Sequence, residues 1–335
     1  MAADFPKRVV HGGNGKRQHE KTHKTVLDFS ASVNPYPPHV EWRCDPETLS
    51  LYPDDTYYEL KQRIGEIYGR NPGEICVGNG SVEIIRAFCS AIFRYSAAPG
   101  RYYLEPPTFG EYELSARLAG AERVTRQDAA TVSFVCNPNS PTGTLHRKED
   151  LLARLDTVRG YGGILFCDEA FIDLADPDQS LSAVRDPALF VLHSLTKSFS
   201  VPGLRIGFGF GDPELIEKIE TIRSPWCLNA CAEAFTMEAL LHRNDLAASR
   251  MAIAKERQNL VKGLHELGLT CHPSSANFLL VETGKPVGPL CEALCTRGVL
   301  VRDCTSFGLP ACIRIAVMTS AENKRLLETL AACVR

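Results

Sequence analysis

Three residues whose types could carry chemistry follow short apolar runs of this chain. Asp168 ends the run that begins at Gly163, and Lys197 comes soon after the run that begins at Val191. A carboxylate at the mouth of a buried strand needs a cationic or hydrogen-bonding partner, and a lysine flanked by hydroxyl groups suits Schiff-base chemistry. Arg205 follows eight residues after that lysine. The set predicts a covalent-catalysis site beside an anion site.

A possible phosphate cradle precedes a predicted helix. Ser81 follows the Gly-Asn-Gly of residues 78–80 and opens an apolar helical stretch from Val82 to Phe93. Backbone N–H groups at a helix N-terminus bind phosphate, although the same residues also suit an ordinary turn and N-cap. Asp168 alone could cap the element after it, and Lys197 alone could be a surface residue. Only the combination of the three sites favours a phosphate-bearing cofactor.

The composition is that of a globular protein and excludes several classes. The 335 residues predict about two domains. Lys plus Arg number 37 against 40 Asp plus Glu, so no basic excess favours nucleic acid. No run approaches the ~18 apolar residues of a membrane-spanning helix. The first 25 residues lack a signal peptide's apolar stretch, so we predict a cytoplasmic protein with neither nucleic acid nor membrane as partner.

The 13 cysteines indicate structural thiols. Several lie within apolar runs, among them Cys76, Cys136 and Cys167, where cysteine acts as a small core residue. The chain has no C-x-x-C pair, the spacing typical of a zinc site. The cysteines of the pairs Cys227/Cys231 and Cys291/Cys295 are four residues apart. We therefore predict neither a disulfide framework nor a metal site.

Alternating apolar runs and helical stretches predict an α/β architecture. A helix over Tyr57–Tyr68 ends at Gly69, and short apolar runs follow it at 75–77, 102–104, 132–136, 164–167, 189–192 and 206–210. Turns and helical stretches separate these runs, which indicates a mostly parallel sheet covered on both faces.

The pattern changes near Pro225. Long helices at 232–241 and 246–267 precede strands at 278–281, 298–301 and 313–317, and a helix over 321–333 ends the pattern. We predict a loop-rich N-terminal arm (1–50), a large domain (51–227) and a small C-terminal α+β domain (228–335). A ligand cleft is expected between the two domains.

Three segments resemble the fold-type I pyridoxal-phosphate enzymes. They are Asn-Pro-Asn-Ser-Pro-Thr-Gly at 137–143, Asp-Glu-Ala-Phe at 168–171 and Ser-Leu-Thr-Lys-Ser-Phe-Ser-Val-Pro-Gly-Leu-Arg at 194–205. Their order and spacing are similar to those of histidinol-phosphate aminotransferases and threonine-phosphate decarboxylases, from about His11 to the C-terminus. The resemblance implies the fold-type I architecture, with a mostly parallel sheet of the seven-stranded type and a small C-terminal domain. It also implies pyridoxal 5′-phosphate as cofactor.

Within this subgroup the N-terminal part resembles the decarboxylases. His-Gly-Gly-Asn at 11–14 precedes Leu-Asp-Phe-Ser-Ala-Ser-Val-Asn-Pro at 27–35, and Phe171 stands where the aminotransferases usually carry Tyr. Segments 301–307 and 313–317 are similar to the decarboxylases as well. The resemblance implies decarboxylation of L-threonine O-3-phosphate in cobalamin biosynthesis. Histidinol-phosphate transamination is the alternative within enzymes, and a non-catalytic binding domain is a third possibility.

The resemblance implies a role for each site residue. Lys197 would bind the cofactor covalently, and Asp168 would pair with its pyridine nitrogen. Further cofactor contacts would come from Ser81, Val82, Phe109 (stacked on the ring), Asn139, Ser140, Ser194, Arg205 and, from the second subunit of a homodimer, Tyr52. A small phosphorylated amino-acid substrate would contact His11, Gly12, Gly13, Asn14, Asn34, Arg302 (phosphate) and Arg314 (carboxylate).

Three positions depart from the pattern of these enzymes, one of them Phe171 in place of the tyrosine that would share the phenolic oxygen of the cofactor. Ser140 replaces the asparagine that usually precedes Pro-Thr-Gly, so the phenolic oxygen of the cofactor would be bound by Ser140, Asn139 or water. Met318 stands where the decarboxylases carry Arg. Leu27–Phe29 is predicted to be a short strand that ties the 11–14 loop over the cleft.

Overall fold

The computed structural model describes residues 5–22, 26–95 and 98–334. The strands are β1 (Leu27–Asp28), β2 (Ile75–Gly78), β3 (Arg101–Leu104), β4 (Glu122–Arg123), β5 (Val132–Cys136), β6 (Ile164–Asp168), β7 (Leu189–His193), β8 (Gly207–Phe210), β9 (Thr270–Cys271), β10 (Phe278–Glu282), β11 (Val299–Leu300), β12 (Arg302–Asp303) and β13 (Cys312–Ala316). The helices are α1 (Gly15–Thr22), α2 (Tyr58–Tyr68), α3 (Ser81–Cys89), α4 (Glu111–Leu118), α5 (Lys148–Gly160), α6 (Leu195–Ser198), α7 (Pro213–Ile222), α8 (Ala230–Ala239), α9 (Leu246–Glu266), α10 (Gly288–Thr296) and α11 (Ser320–Val334).

A seven-stranded sheet with the order β2-β8-β7-β6-β5-β3-β4 forms the larger part of the molecule. Only β8 runs antiparallel to its neighbours, so the predicted mostly parallel sheet is confirmed. Every residue of β5 and β7 is buried. Strands covered on both faces read as continuous apolar runs, which explains why all six runs in the sequence are strands of this sheet.

The predicted helix before the first run is also confirmed. Leu60 and Ile64 on α2 are fully buried, which matches their helical spacing. Gly69 ends the helix in the left-handed conformation with φ +67° and donates its N–H to the Gly65 carbonyl.

A second, antiparallel sheet with the order β12-β13-β10-β9 lies C-terminal to the first. Helices α9 and α11 pack against each other beside it. The prediction of one strand over 298–301 is wrong in detail. Residues 299–300 pair in parallel with β1, whereas 302–303 pair with β13. The chain therefore changes partners at Val301, because β1 arrives from the distant N-terminal arm.

The N-terminal arm contains more structure than its glycines suggest. The predicted strand at 27–29 is present as β1, and the Phe29 N–H extends the pairing to the Leu300 carbonyl. Helix α1 was not predicted. It begins at Gly15, whose N–H donates to the Asp28 carboxylate, so part of the arm predicted to be loop-rich is helical. None of the described helices is both long and apolar enough to span a bilayer. The domain boundaries at 50/51 and 227/228 stay a prediction.

Candidate active site

A cavity of about 490 Å³ lies at the carboxyl ends of the parallel strands, with one wall from β12 and β13. Twelve of the residues predicted for the site line it: His11, Gly12, Gly13, Ser81, Val82, Phe109, Ser140, Asp168, Lys197, Arg205, Arg302 and Arg314. A more open groove of about 720 Å³ between α9 and β9 contains none of them. The cavity at the strand ends is therefore the candidate active site, where open α/β sheets bind their ligands.

Lys197 lies on the short helix α6, directly after β7. Burial lowers the pKa of its amine to about 8, and the like charges of Arg314 and Arg205 act in the same direction. The turn that carries the lysine is held by Asn34, which donates its backbone N–H to the Lys197 carbonyl and its side-chain amide to the Ser198 carbonyl at 2.8 Å. A neutral amine is therefore accessible near neutral pH, as attack on a carbonyl carbon requires.

Asp168 is a buried carboxylate at the end of β6. It accepts the Tyr112 hydroxyl at 2.6 Å and the Ala170 backbone N–H at 2.9 Å. Burial raises its pKa, while these two hydrogen bonds oppose the rise. Within the described residues no lysine, arginine or histidine forms an ion pair with Asp168. A protonated ring nitrogen would supply the missing cation.

The N-terminus of α3 and Arg205 face each other closely. A Cβ on Gly80 (φ +80°) would lie within 2.4 Å of an Arg205 nitrogen, and a Cβ on Gly207 within 2.7 Å of the Ser81 nitrogen. Glycine at both positions therefore lets the helix N-terminus, an arginine and strand β8 share one small space. Free N–H groups with a guanidinium suit a phosphate group. The predicted cradle at Ser81 and Val82 is geometrically possible.

Two arginines form the opposite wall. Arg302 and Arg314 are paired across β12 and β13, an arrangement in which like charges repel. Arg314 donates to the Ser140 hydroxyl at 2.7 Å and to the Ser30 carbonyl at 3.1 Å, and its buried Nε has no hydrogen-bond partner among the described residues. Burial, together with Arg302, lowers the pKa of Arg314 to about 10.

Arg302 is also occupied by neutral acceptors, which are the Val10 carbonyl, the Asp303 carbonyl and the Ser306 hydroxyl. Among the described residues neither Arg302 nor Arg314 forms an ion pair with a carboxylate. The wall thus carries two uncompensated positive charges, which an anionic ligand would neutralise.

The structure places Asn139 and Ser194 outside this cavity. The Asn139 amide donates to the Pro107 carbonyl and the Thr142 hydroxyl, and its oxygen accepts from Thr108 at 2.8 Å. Its polar atoms are thus occupied by neighbours in the described structure, and the contact of Asn139 with the cofactor stays a prediction. Ser194 bonds to the hydroxyl of Thr196, and Thr196 lines the cavity in its place.

Three further predicted residues lie away from the cavity. Asn34 acts on the turn beneath Lys197, and Asn14 bonds the His11 carbonyl at 3.2 Å. Direct contact of either side chain with substrate stays a prediction. Tyr52 is 80% exposed and packs against Trp226 at 4.5 Å between ring centroids. Its predicted role lies in a second subunit and stays a prediction.

Sequence reasoning missed Glu111 and Tyr112, both of which line the cavity. They occupy the first turn of α4, two and three residues after Phe109, whose ring lies 5.5 Å from that of Tyr112. A helix that starts just after a parallel strand directs its first polar residues towards the strand ends, and this was the available signal.

The lysine, the carboxylate without a cation and the phosphate cradle surround one cavity, an arrangement that fits pyridoxal phosphate. The family model "Aminotransferase class I and II" matches residues 24–330. A histidinol-phosphate aminotransferase of Symbiobacterium thermophilum is 32% identical over 304 residues, which is 85% of this chain and 83% of that protein.

Solved structures share the fold. A histidinol-phosphate aminotransferase of Sinorhizobium meliloti in complex with pyridoxal-5′-phosphate has a TM-score of 0.85 at 19% identity, covering 100% of this chain and 98% of its own. The L-threonine-O-3-phosphate decarboxylase of Porphyromonas gingivalis has a TM-score of 0.75 at 22% identity, with 85% of this chain and 93% of its own covered. Both likenesses concern the fold alone.

Proposed function

Because this chain belongs to the class I and II aminotransferase family, a family of pyridoxal-phosphate enzymes, we propose that it transfers the amino group of a small phosphate-bearing amine to a keto acid. Histidinol phosphate is the amine that the similarity to sequence relatives supports. This proposal replaces decarboxylation as the first expectation, since the relatives favour the aminotransferase alternative.

The observation that carries the proposed substrate class is the pair of arginines on β12 and β13. Arg302 and Arg314 line the cavity opposite Lys197, and among the described residues neither has a carboxylate partner. Two buried like charges on adjacent strands cost stability unless an anion compensates them. A guanidinium binds phosphate or carboxylate through two parallel hydrogen bonds. Each half of a transamination brings such an anion to the two arginines. The first half brings a phosphate-bearing amine, and the second brings a dicarboxylic keto acid.

Pyridoxal phosphate, when bound, supplies an electron sink for the bond that breaks at the amine-bearing carbon. The residues of this chain would bind and orient the reactants. Lys197 would attach the cofactor through its neutral amine and move a proton at the reacting carbon. Asp168 would keep the pyridine nitrogen protonated, and Phe109 would cover one ring face. Arg314 would fix the angle of the bond that breaks, a positioning effect.

A second candidate reaction is decarboxylation of L-threonine O-3-phosphate. Two arginines side by side could bind the carboxylate and the phosphate of one substrate at the same time. In addition, His11, Gly12 and Gly13 line the cavity although they lie outside the 24–330 range of the family match. The substrate end of the site is thus partly built from a segment that the family model does not cover.

One experiment separates the two reactions. The purified holoenzyme is given histidinol phosphate with 2-oxoglutarate in one assay and threonine phosphate without a keto acid in another. We expect glutamate in the first assay. Carbon dioxide in the second, without glutamate in the first, would establish the decarboxylase instead. If neither product forms, the phosphate-bearing substrate class is refuted. Absence of the cofactor's visible absorbance would indicate a binding domain.

We also propose a homodimer in which Tyr52 completes the site of the neighbouring subunit. The support is an exposed apolar patch around it, in which Leu49 is 63%, Leu51 70% and Trp226 45% exposed. Exposed aromatic and aliphatic side chains in one patch favour a protein interface. Light scattering should therefore give twice the mass of one chain, and Tyr52→Ala should weaken cofactor binding. A fully active monomer would contradict both expectations.

A further inference from the structure

Residues 9–13 line the cavity, and we call them the strap. The strap approaches its neighbours closely. A Cβ on Gly12 would lie 2.3 Å from the Ser30 carbonyl oxygen, and one on Gly110 would lie 3.2 Å from the Val9 side chain. The Gly13 N–H donates to the Ser30 hydroxyl at 2.8 Å. These contacts place the strap as a wall of the cavity.

The strap is fastened to β12 on one side and to helix α4 on the other. On the side of the small sheet, Arg302 on β12 donates to the Val10 carbonyl at 2.7 Å. On the side of the large sheet, the His11 imidazole donates from Nε2 to the Glu111 carboxylate at 2.8 Å. The His11 ring lies 6.0 Å from that of Phe109, measured between centroids. The strap therefore spans the cleft between α4 and β12.

Glu111 is an unexpected residue in a cavity that collects anions. Its side chain is only 4% exposed, and a buried carboxylate would repel a phosphate group nearby. The hydrogen bond from His11 lowers the pKa of Glu111, with the Arg86 guanidinium 3.4 Å away acting in the same direction. Its negative charge is therefore present, and it is compensated by the Arg86 guanidinium and by the hydrogen bond from the strap.

We propose that Glu111 is a positioning residue that fastens the strap through His11 and thereby shapes the part of the cavity that takes the phosphate-bearing end of the substrate. This role in substrate binding rests on the proposed function. The attachment of the strap does not, because it is a property of the protein without substrate.

The first test measures the strap itself. Trypsin can cut after Lys16 or Arg17 on α1 only when the arm opens locally. In the Glu111→Gln holoenzyme, cleavage after Lys16 or Arg17 should be several-fold faster than in the wild type. Mass spectrometry measures the rate of this cleavage. Glu214→Gln is the matched control, since Glu214 also lies in the first turn of a helix and pairs with Lys218 at 2.7 Å. That control should leave the cleavage rate unchanged.

The second test separates positioning from a general loss of structure. With the phosphorylated substrate that the wild type accepts, Glu111→Gln should raise KM about tenfold and change kcat less than about twofold. His11→Ala should give the same KM as Glu111→Gln. The double variant should raise KM no further than either single variant, because both substitutions act through one contact. His11 is exposed at the cavity rim, so this second variant remains informative if Glu111→Gln fails to fold.

Three outcomes would overturn the proposal: an unchanged cleavage rate in Glu111→Gln, a fall in kcat without a rise in KM, or additive effects of the two substitutions. Failure of the proposed function gives a different result. In that case the wild type turns over neither phosphorylated substrate, while Glu111→Gln still accelerates cleavage of the arm, so the attachment of the strap stands without the substrate class.

Discussion

Lys197→Ala is expected to lose nearly all turnover, about 10³-fold or more, because it removes the amine that we propose binds the cofactor covalently and transfers a proton. The variant should also lose the attachment of pyridoxal phosphate that borohydride makes permanent. Mass spectrometry of the reduced protein measures that attachment directly. Folding should persist, since the amine makes no hydrogen bond that stabilises the described structure.

The matched control for this experiment is Lys218→Ala. Lys218 lies on α7 in an exposed pair with Glu214, and surface pairs contribute little to stability. Its loss should leave turnover and cofactor attachment unchanged. If the Lys197 variant still bound cofactor covalently at one site, another lysine would carry the chemistry and the assignment of the cavity would be wrong.

Asp168→Asn should retain the shape of the site and remove its charge. We expect turnover to fall by about 10²- to 10³-fold, the scale of losing one preorganised electrostatic group. Cofactor affinity should fall much less, because the phosphate cradle and Lys197 remain. Steady-state kinetics and a cofactor titration followed by absorbance measure the two quantities separately.

Tyr112→Phe distinguishes the charge of Asp168 from its orientation. The substitution removes the 2.6 Å hydrogen bond to the carboxylate and leaves the negative charge in place. Its effect on turnover should therefore be smaller than that of Asp168→Asn. Equal turnover in Asp168→Asn and the wild type would mean that Asp168 is structural and serves only to accept the Ala170 N–H and the Tyr112 hydroxyl.

Local patterns in the sequence were sufficient for the elements and for the chemistry at their ends. Six strands of the large sheet are mostly buried, so each reads as a short apolar run that needs no knowledge of its neighbours. The exposed edge strand β4, Glu122–Arg123, carries no such signal and was not predicted. Asp168 and Lys197 directly follow such runs, and the ends of parallel strands meet at one edge of a sheet. Their convergence on one cavity could therefore be predicted before the structure.

Contacts between distant segments could not be predicted in this way. Tyr112 binds Asp168 across 56 residues, and His11 binds Glu111 across 100 residues. No local period encodes such pairs, because they depend on how the elements dock. For the same reason the direction of the Asn139 side chain and the change of strand partner at Val301 were missed.

The sequence by itself determined the α/β class, the strands that build the sheet and the lysine and aspartate at their ends, because these follow from hydrophobic periodicity and from short motifs. Tertiary structure decided the rest of the site. Only docking of the arm onto α4 and β12 brings His11 to Glu111 and Val10 to Arg302. The part of the cavity that these residues line is built from segments that meet only in the folded chain, so its shape is a property of packing.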